Sequence, residues 1–105
     1  MREKEIEKVL VQEVKKSGGR AYKWVSPGND GVPDRIVVFP GRPPVFTELK
    51  TETGRLTALQ EVQCRKLAEL GQDVRTVYGI RGVRDFFESL GYTEAALRIA
   101  KRYGI

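Results

Sequence analysis

Histidine is absent from this 105-residue chain, and cysteine occurs once, at Cys64. The first absence removes a Ser–His–Asp triad and a Cys–His pair, and the two together argue against a structural zinc site. A lone thiol also rules out an intramolecular disulfide, and no imidazole is at hand to activate it, so Cys64 reads as a small packed residue. Any bound metal must rest on carboxylates and carbonyls. That selects a hard cation, Mg2+ or Mn2+ before Zn2+ or Cu2+. Long apolar runs are missing as well, and none approaches the ~20 residues that cross a bilayer. The stretch Met1–Lys8 is too charged for a secretory leader, so the expected location is the cytoplasm.

What is present is ordinary for a folded protein: 40% apolar and 31% charged residues, in a length that suits one domain over residues 1–105. A chain of this size buries one modest core without a disulfide. Nineteen Lys and Arg against fourteen Asp and Glu give a formal charge of +5. That balance suits a polyanion such as nucleic acid, although many small proteins carry it with no such partner.

Ile6, Leu10 and Val14 recur every fourth residue, widened by Val9 and Val11, and predict a helix over residues 2–17 that stops at Gly18-Gly19. Residues 20–26 alternate as a strand. The turn-forming loop Pro27–Pro33 leads into a β-branched strand over residues 34–39. Pro40–Pro44 reverses the chain, and residues 45–50 form the partner strand of an antiparallel hairpin. Thr57 and Gln60 have the spacing of a capping box, opening a helix with an apolar face of Leu59, Val62, Leu67 and Leu70. A strand over residues 74–78 follows. Then comes a short helix with Val83, Phe86, Phe87 and Leu90, and a last helix capped by Thr93 that buries Leu97, Ile99 and Ala100. The order is αβββαβ plus helices: a mixed sheet flanked by helices, in the α/β or α+β class.

Side chains two apart on a strand share a face, so Glu48 and Lys50 point the same way, and the hairpin brings Asp34 near Glu48. Two carboxylates repel by about 4 kcal/mol at about 4 Å and an effective dielectric of about 20, and a divalent cation reverses that sign. Two acids and a lysine converging here suggest a Mg2+ site. Glu7 is the expected third acid, since it lies on the helical face of Leu10, Val11 and Val14; Glu3, one turn earlier, is the fallback. Glu5 and Glu13 lie further round and read as solvated. Each feature also has a plainer reading. Glu48-x-Lys50 alone is usually a solvated surface pair, Pro33-Asp34 a turn, Gln60 a capping residue, Glu7 a helix-start acid, and Tyr22 and Trp24 sheet aromatics.

The ordered combination resembles the PD-(D/E)XK nuclease superfamily and, within it, the VRR-NUC family. Pro33-Asp34 matches the PD element and Glu48-Leu49-Lys50 the (D/E)XK element. The likeness spans residues 3–80 and includes Gly18-Gly19, Lys23, Ser26-Pro27-Gly28, Gly31-Val32-Pro33-Asp34-Arg35, Phe46–Lys50 and Gln60. It implies a restriction-endonuclease-like core with a C-terminal helical extension from about residue 81, and a Mg2+- or Mn2+-dependent DNA endonuclease. Asp34, Glu48, the Leu49 main-chain carbonyl and Glu7 would ligate the metal. Lys50 would position or activate water and offset phosphate charge, and Gln60 would help hold the site. Ser26 and Gly28 in a close-approach loop, with Lys23, Arg35, Arg42 and Arg55, are the candidate DNA contacts; any of these cations could equally be ordinary surface charge. Lone members of this size look like phage or bacterial enzymes, and some relatives act as homodimers on branched DNA. Dimerisation is therefore expected, with Phe86, Phe87 and Leu97 either forming the interface or finishing the core.

Overall fold

The computed structural model describes residues 1–105. The elements are α1 (Glu3–Lys16), β1 (Arg20–Lys23), β2 (Arg35–Val38), β3 (Val45–Lys50), α2 (Ala58–Glu69), β4 (Asp73–Tyr78), α3 (Gly79–Ser89) and α4 (Thr93–Tyr103). The four strands lie in the order β1-β2-β3-β4, antiparallel except for the parallel β3–β4 pair. A parallel pair needs a crossover, and α2 supplies it. No helix is long and apolar enough to cross a membrane.

One face of the sheet carries the core. Ile6, Val9, Leu10 and Val14 of α1 meet Val37, Phe39, Val45, Leu49 and Val77 of the sheet segments, with Ile80, Val83, Phe86 and Phe87 of α3 and Ala95, Ala96 and Ile99 of α4. Each fully buried Val, Leu, Ile or Phe contributes about 1.5–3 kcal/mol of transfer free energy. Phe39 stacks on Tyr92 at 4.4 Å and meets Phe87 edge-on at 6.3 Å. The turn from α1 into β1 needs glycine at position 19: a Cβ there would sit 2.5 Å from the Val38 carbonyl oxygen.

Phe86 and Phe87 thus finish the core and offer no interface. Leu97 is not buried as expected but 64% exposed, because the inward face of α4 is Ala95, Ala96 and Ile99. Thr93 is the first residue of that helix, not its cap; Tyr92 holds the cap position with its ring against Phe39. The thinner layer is α2. Its capping box forms as expected, Thr57 Oγ1 accepting from the Gln60 amide and Gln60 Oε1 from the Thr57 amide. Yet no α2 residue is buried, and Leu59 and Leu70, expected on its apolar face, are 55% and 74% exposed.

Glu13, expected to be solvated, is only 6% exposed. Arg98 of α4 reaches across to its Oε1 at 2.8 Å, and Lys16 lies 3.7 Å from its Oε2. This pair pins α4 to α1. Removing one partner of a buried ion pair leaves the other charge poorly compensated. Arg98→Ala is expected to lower unfolding free energy by about 2 kcal/mol in urea titrations, discounted from the fully buried case because the arginine is partly solvated. A loss no larger than that of an exposed-site change would mean that Lys16 alone neutralises Glu13.

Candidate active site

Alternation along β3 sends Val45, Thr47 and Leu49 one way and Phe46, Glu48 and Lys50 the other, towards α2. The β2–β3 register stops at Arg35↔Thr47, so β3 outruns its neighbour. The amide of Leu49 beyond that point is taken by Asp34 Oδ2 at 2.9 Å. Asp34 is held from its own backbone as well: its carbonyl accepts from the Trp24 amide at 3.0 Å, extending the β1–β2 ladder.

The first turn of α1 brings Glu3 to the same place. Carboxylate oxygens of Glu3, Asp34 and Glu48 all lie within 4.8 Å of one another. Of the two α1 acids considered above, Glu3 is the one brought to Asp34 and Glu48. Glu7 is occupied: its Oε2 accepts from Arg35 Nε at 2.7 Å, and Arg35 Nη1 also donates to the Ala21 carbonyl. The arginine that follows Asp34 points to the α1 side of the sheet and takes the expected ligand as its counter-ion.

Glu48 is 1% exposed. Its Oε2 accepts from Gln60 Nε2 at 3.0 Å and lies 3.9 Å from Lys50 Nζ, while its Oε1 is buried without a hydrogen-bond partner. Burial and then the neighbouring Asp34 charge push this carboxyl up from 4.5 to about 7, with Lys50 pulling the other way. Burial, and then Glu48, also push the Cys64 thiol up, which suits a packed and unreactive cysteine. A deeply buried carboxylate oxygen with no donor is costly, and two further carboxylates beside it add repulsion. This all-oxygen donor set fits a hard divalent cation, which would satisfy the orphaned oxygen and reverse the repulsion.

The cap of α2 is pressed against the loop that precedes Asp34. Gly31 has φ +89°, and a Cβ there would stand 2.6 Å from the Leu59 carbonyl carbon and 2.8 Å from the Gln60 amide nitrogen. Only glycine allows that approach, which sets Gln60 over Glu48. Of the expected DNA contacts, Lys23, Arg55 and Gly28 are exposed, and Ser26 is half-buried with its hydroxyl accepting from the Asn29 amide side chain. Arg35 is bound to Glu7. Arg42 lies at the opposite end of the hairpin and donates to the Leu90 carbonyl at 2.9 Å, so it is not brought to the cluster.

No family model matches the chain. A phage protein, "Putative nuclease p44" of Acyrthosiphon pisum secondary endosymbiont phage 1, is 47% identical over 74 residues, covering 70% of this chain and 80% of that protein. A solved VRR_NUC domain superposes with a TM-score of 0.78 at 24% identity, covering 82% of this chain and 94% of the domain. With nearly half of the aligned residues shared over four-fifths of that phage protein, and with the fold of a VRR_NUC domain over 82% of its length, the chain belongs to the family of that putative phage nuclease.

Proposed function

We propose that this nuclease-family chain hydrolyses phosphodiester bonds in DNA as a Mg2+- or Mn2+-dependent endonuclease, selective for branched, flapped or junction substrates. One observation carries the reading: three carboxylates from three separate segments meet, and the buried one, Glu48, keeps one oxygen unpartnered and has a lysine 3.9 Å from the other. Asp34, Glu48 and Glu3 would hold the ion, with the Leu49 carbonyl as the further donor that the family likeness suggests. When bound, the cation supplies Lewis acidity to the scissile phosphate and to the attacking water.

The remaining work falls to the chain itself. Lys50 presents fixed positive charge where negative charge grows on the phosphate. Gln60 holds Oε2 of Glu48 and leaves Oε1 without a hydrogen-bond partner. Asp34, clamped on the Leu49 amide, cannot swing away. The loop around Ser26 and Gly28 admits close approach of the DNA backbone, and Lys23 and Arg55 add sequence-independent phosphate contacts. One chain supplies one cluster, so symmetric cutting of two strands calls for a homodimer. With Phe86 and Phe87 in the core, the exposed apolar side chains available to a second copy include Leu97 on α4, Tyr22 and Val38 on the sheet and Leu70 on α2. We read residues 1–105 as one nuclease unit acting in the cytoplasm of a bacterial or phage-infected cell, with the helices from residue 81 as its extension.

The test is a panel of flapped, four-way, single-stranded and linear duplex DNAs, incubated with Mg2+ or Mn2+ and with chelator. Metal-dependent nicking of the branched members supports the reading. Salt-sensitive binding with no cleavage in any metal would make the chain a non-catalytic nucleic-acid-binding module. Cleavage of linear duplex at one short motif would replace structure selectivity with sequence specificity.

A further inference from the structure

A groove of about 550 Å³ lies between α1 and the β1–β2 edge, lined by Lys4, Glu7, Lys8, Lys23 and Arg35 among its seven residues. Two of its lining residues are chain neighbours of cluster acids: Lys4 follows Glu3 in α1, and Arg35 follows Asp34. Lys4 and Lys8 are one helical turn apart on one face, about 6 Å along the axis. Lys23 stands opposite Arg35 in the antiparallel register. All three lysines are exposed. The one carboxylate in the groove, Glu7, is already taken by Arg35 at 2.7 Å. Four cations against one carboxylate leave the groove at +3. No carboxylate lies within 4.0 Å of Lys4, Lys8 or Lys23, so each keeps an unpaired charge facing the same channel.

We infer that this groove is the track for the DNA phosphate backbone as it leaves the scissile phosphate, with Lys4, Lys8 and Lys23 as its contacts and the Glu7–Arg35 pair as its floor. The inference rests on the nuclease reading above and names where its substrate runs. The floor pair is neutral overall and anchored to the Ala21 carbonyl, so it fixes the spacing of α1 from β1 without binding substrate itself. The rim lysines are point charges on flexible stems, which suits phosphate contacts independent of sequence. Each phosphate neutralised releases condensed counterions, so such a track leaves a signature in the salt dependence of binding.

The test combines Lys4→Gln, Lys8→Gln and Lys23→Gln in one protein. A control removes the same charge from exposed lysines elsewhere: Lys15→Gln, Lys66→Gln and Lys101→Gln. Binding of a fluorescent single-stranded and a duplex oligonucleotide is measured against salt in the Asp34→Asn background with Mg2+, where turnover does not interfere. The groove variant is expected to lose roughly 2 to 3 from the slope of log K against log salt, at about 0.7–0.9 per contact. With Asp34 intact it should raise KM at least about tenfold, the affinity scale of such a loss, with kcat nearly unchanged. The control should retain the wild-type slope. An unchanged slope in the groove variant, or an equal loss in the control, would overturn the track. If the wild type cuts DNA while the groove variant binds normally, the track fails and the nuclease reading stands. If nothing cuts but only the groove variant loses binding, the groove stands as a DNA site and the hydrolytic reading fails.

Discussion

Asp34→Asn should lower metal-dependent cleavage by at least roughly a thousandfold, at the upper end of what single charge-stabilising groups in active sites contribute. The substitution isolates charge from architecture. Asparagine keeps an oxygen that can accept from the Leu49 amide, so the extension of β3 past β2 and the position of Glu48 survive. What disappears is one negative donor from a set of three whose oxygens lie within 4.8 Å. Circular dichroism and thermal midpoint should stay near wild type while single-turnover cleavage collapses. Metal-dependent cleavage persisting within tenfold of wild type would remove Asp34 from the site. Lys50→Ala offers a second check, since it leaves all three acids and removes the ammonium 3.9 Å from Glu48 Oε2.

Glu48→Gln should have two large effects of opposite sign. Catalysis should be lost with the central ligand. In chelator, however, the folded state should gain about 1–3 kcal/mol, the scale of relieving a buried unsatisfied charged group. For a chain of this size that is a rise of about 4–8 °C in thermal midpoint per kcal/mol. The amide can still accept from Gln60 and carries no charge at the buried position where Glu48 Oε1 has no partner. The pH dependence follows from the same environment. Burial and Asp34 raise the folded-state value of Glu48 from 4.5 to about 7. A raised value favours the folded state while the group is protonated. Its contribution is thus complete below about 4.5 and is lost as pH rises through about 7. Wild-type protein in chelator should therefore lose stability across that window, and the Gln variant should lack this component. Mn2+ should stabilise only the wild type at neutral pH. Equal midpoints of the two proteins in chelator at neutral pH would show that the buried carboxylate carries no strain.

Much of this site was legible because it depends on short-range regularities. The two-residue period of a strand puts Glu48 beside Lys50, and a three-residue cap interval puts Gln60 at the start of α2. The choice between Glu3 and Glu7 was not legible. Both lie on the inward side of α1, and the helical pattern is indifferent to where along its axis the helix crosses the sheet. That offset is settled by Arg35, which takes Glu7 as its partner, and a contact between residues 28 apart has no signature in local spacing. Glu13 was misread for the same reason, since its counter-ion Arg98 arrives from 85 residues away. The α2 face failed differently. Leu59, Val62, Leu67 and Leu70 have helical spacing, but the sheet beneath α2 offers a carboxylate, a lysine and aromatic edges in place of a continuous apolar floor, so Leu59 and Leu70 remain outside. The β elements are legible to within a few residues at each boundary; the first strand is shorter than expected because beyond the Lys23↔Arg35 pair a single bond, from the Trp24 amide to the Asp34 carbonyl, continues the ladder.

The lack of any buried residue in α2 sets two tiers of rigidity around the Glu48 carboxylate. Glu48 and Lys50 ride on β3, which is paired there with β4 and held on its other side by Asp34 on the Leu49 amide, so displacing them means breaking the β3–β4 pairing. Gln60 rides on a helix secured by its cap, the Gly31 contact and half-buried side chains, so its detachment costs far less than global unfolding. Amides of α2 should accordingly exchange with solvent well before those of β3. The clamp on Glu48 is then a reversible one, able to lift and reseat while the acids beneath it keep their places.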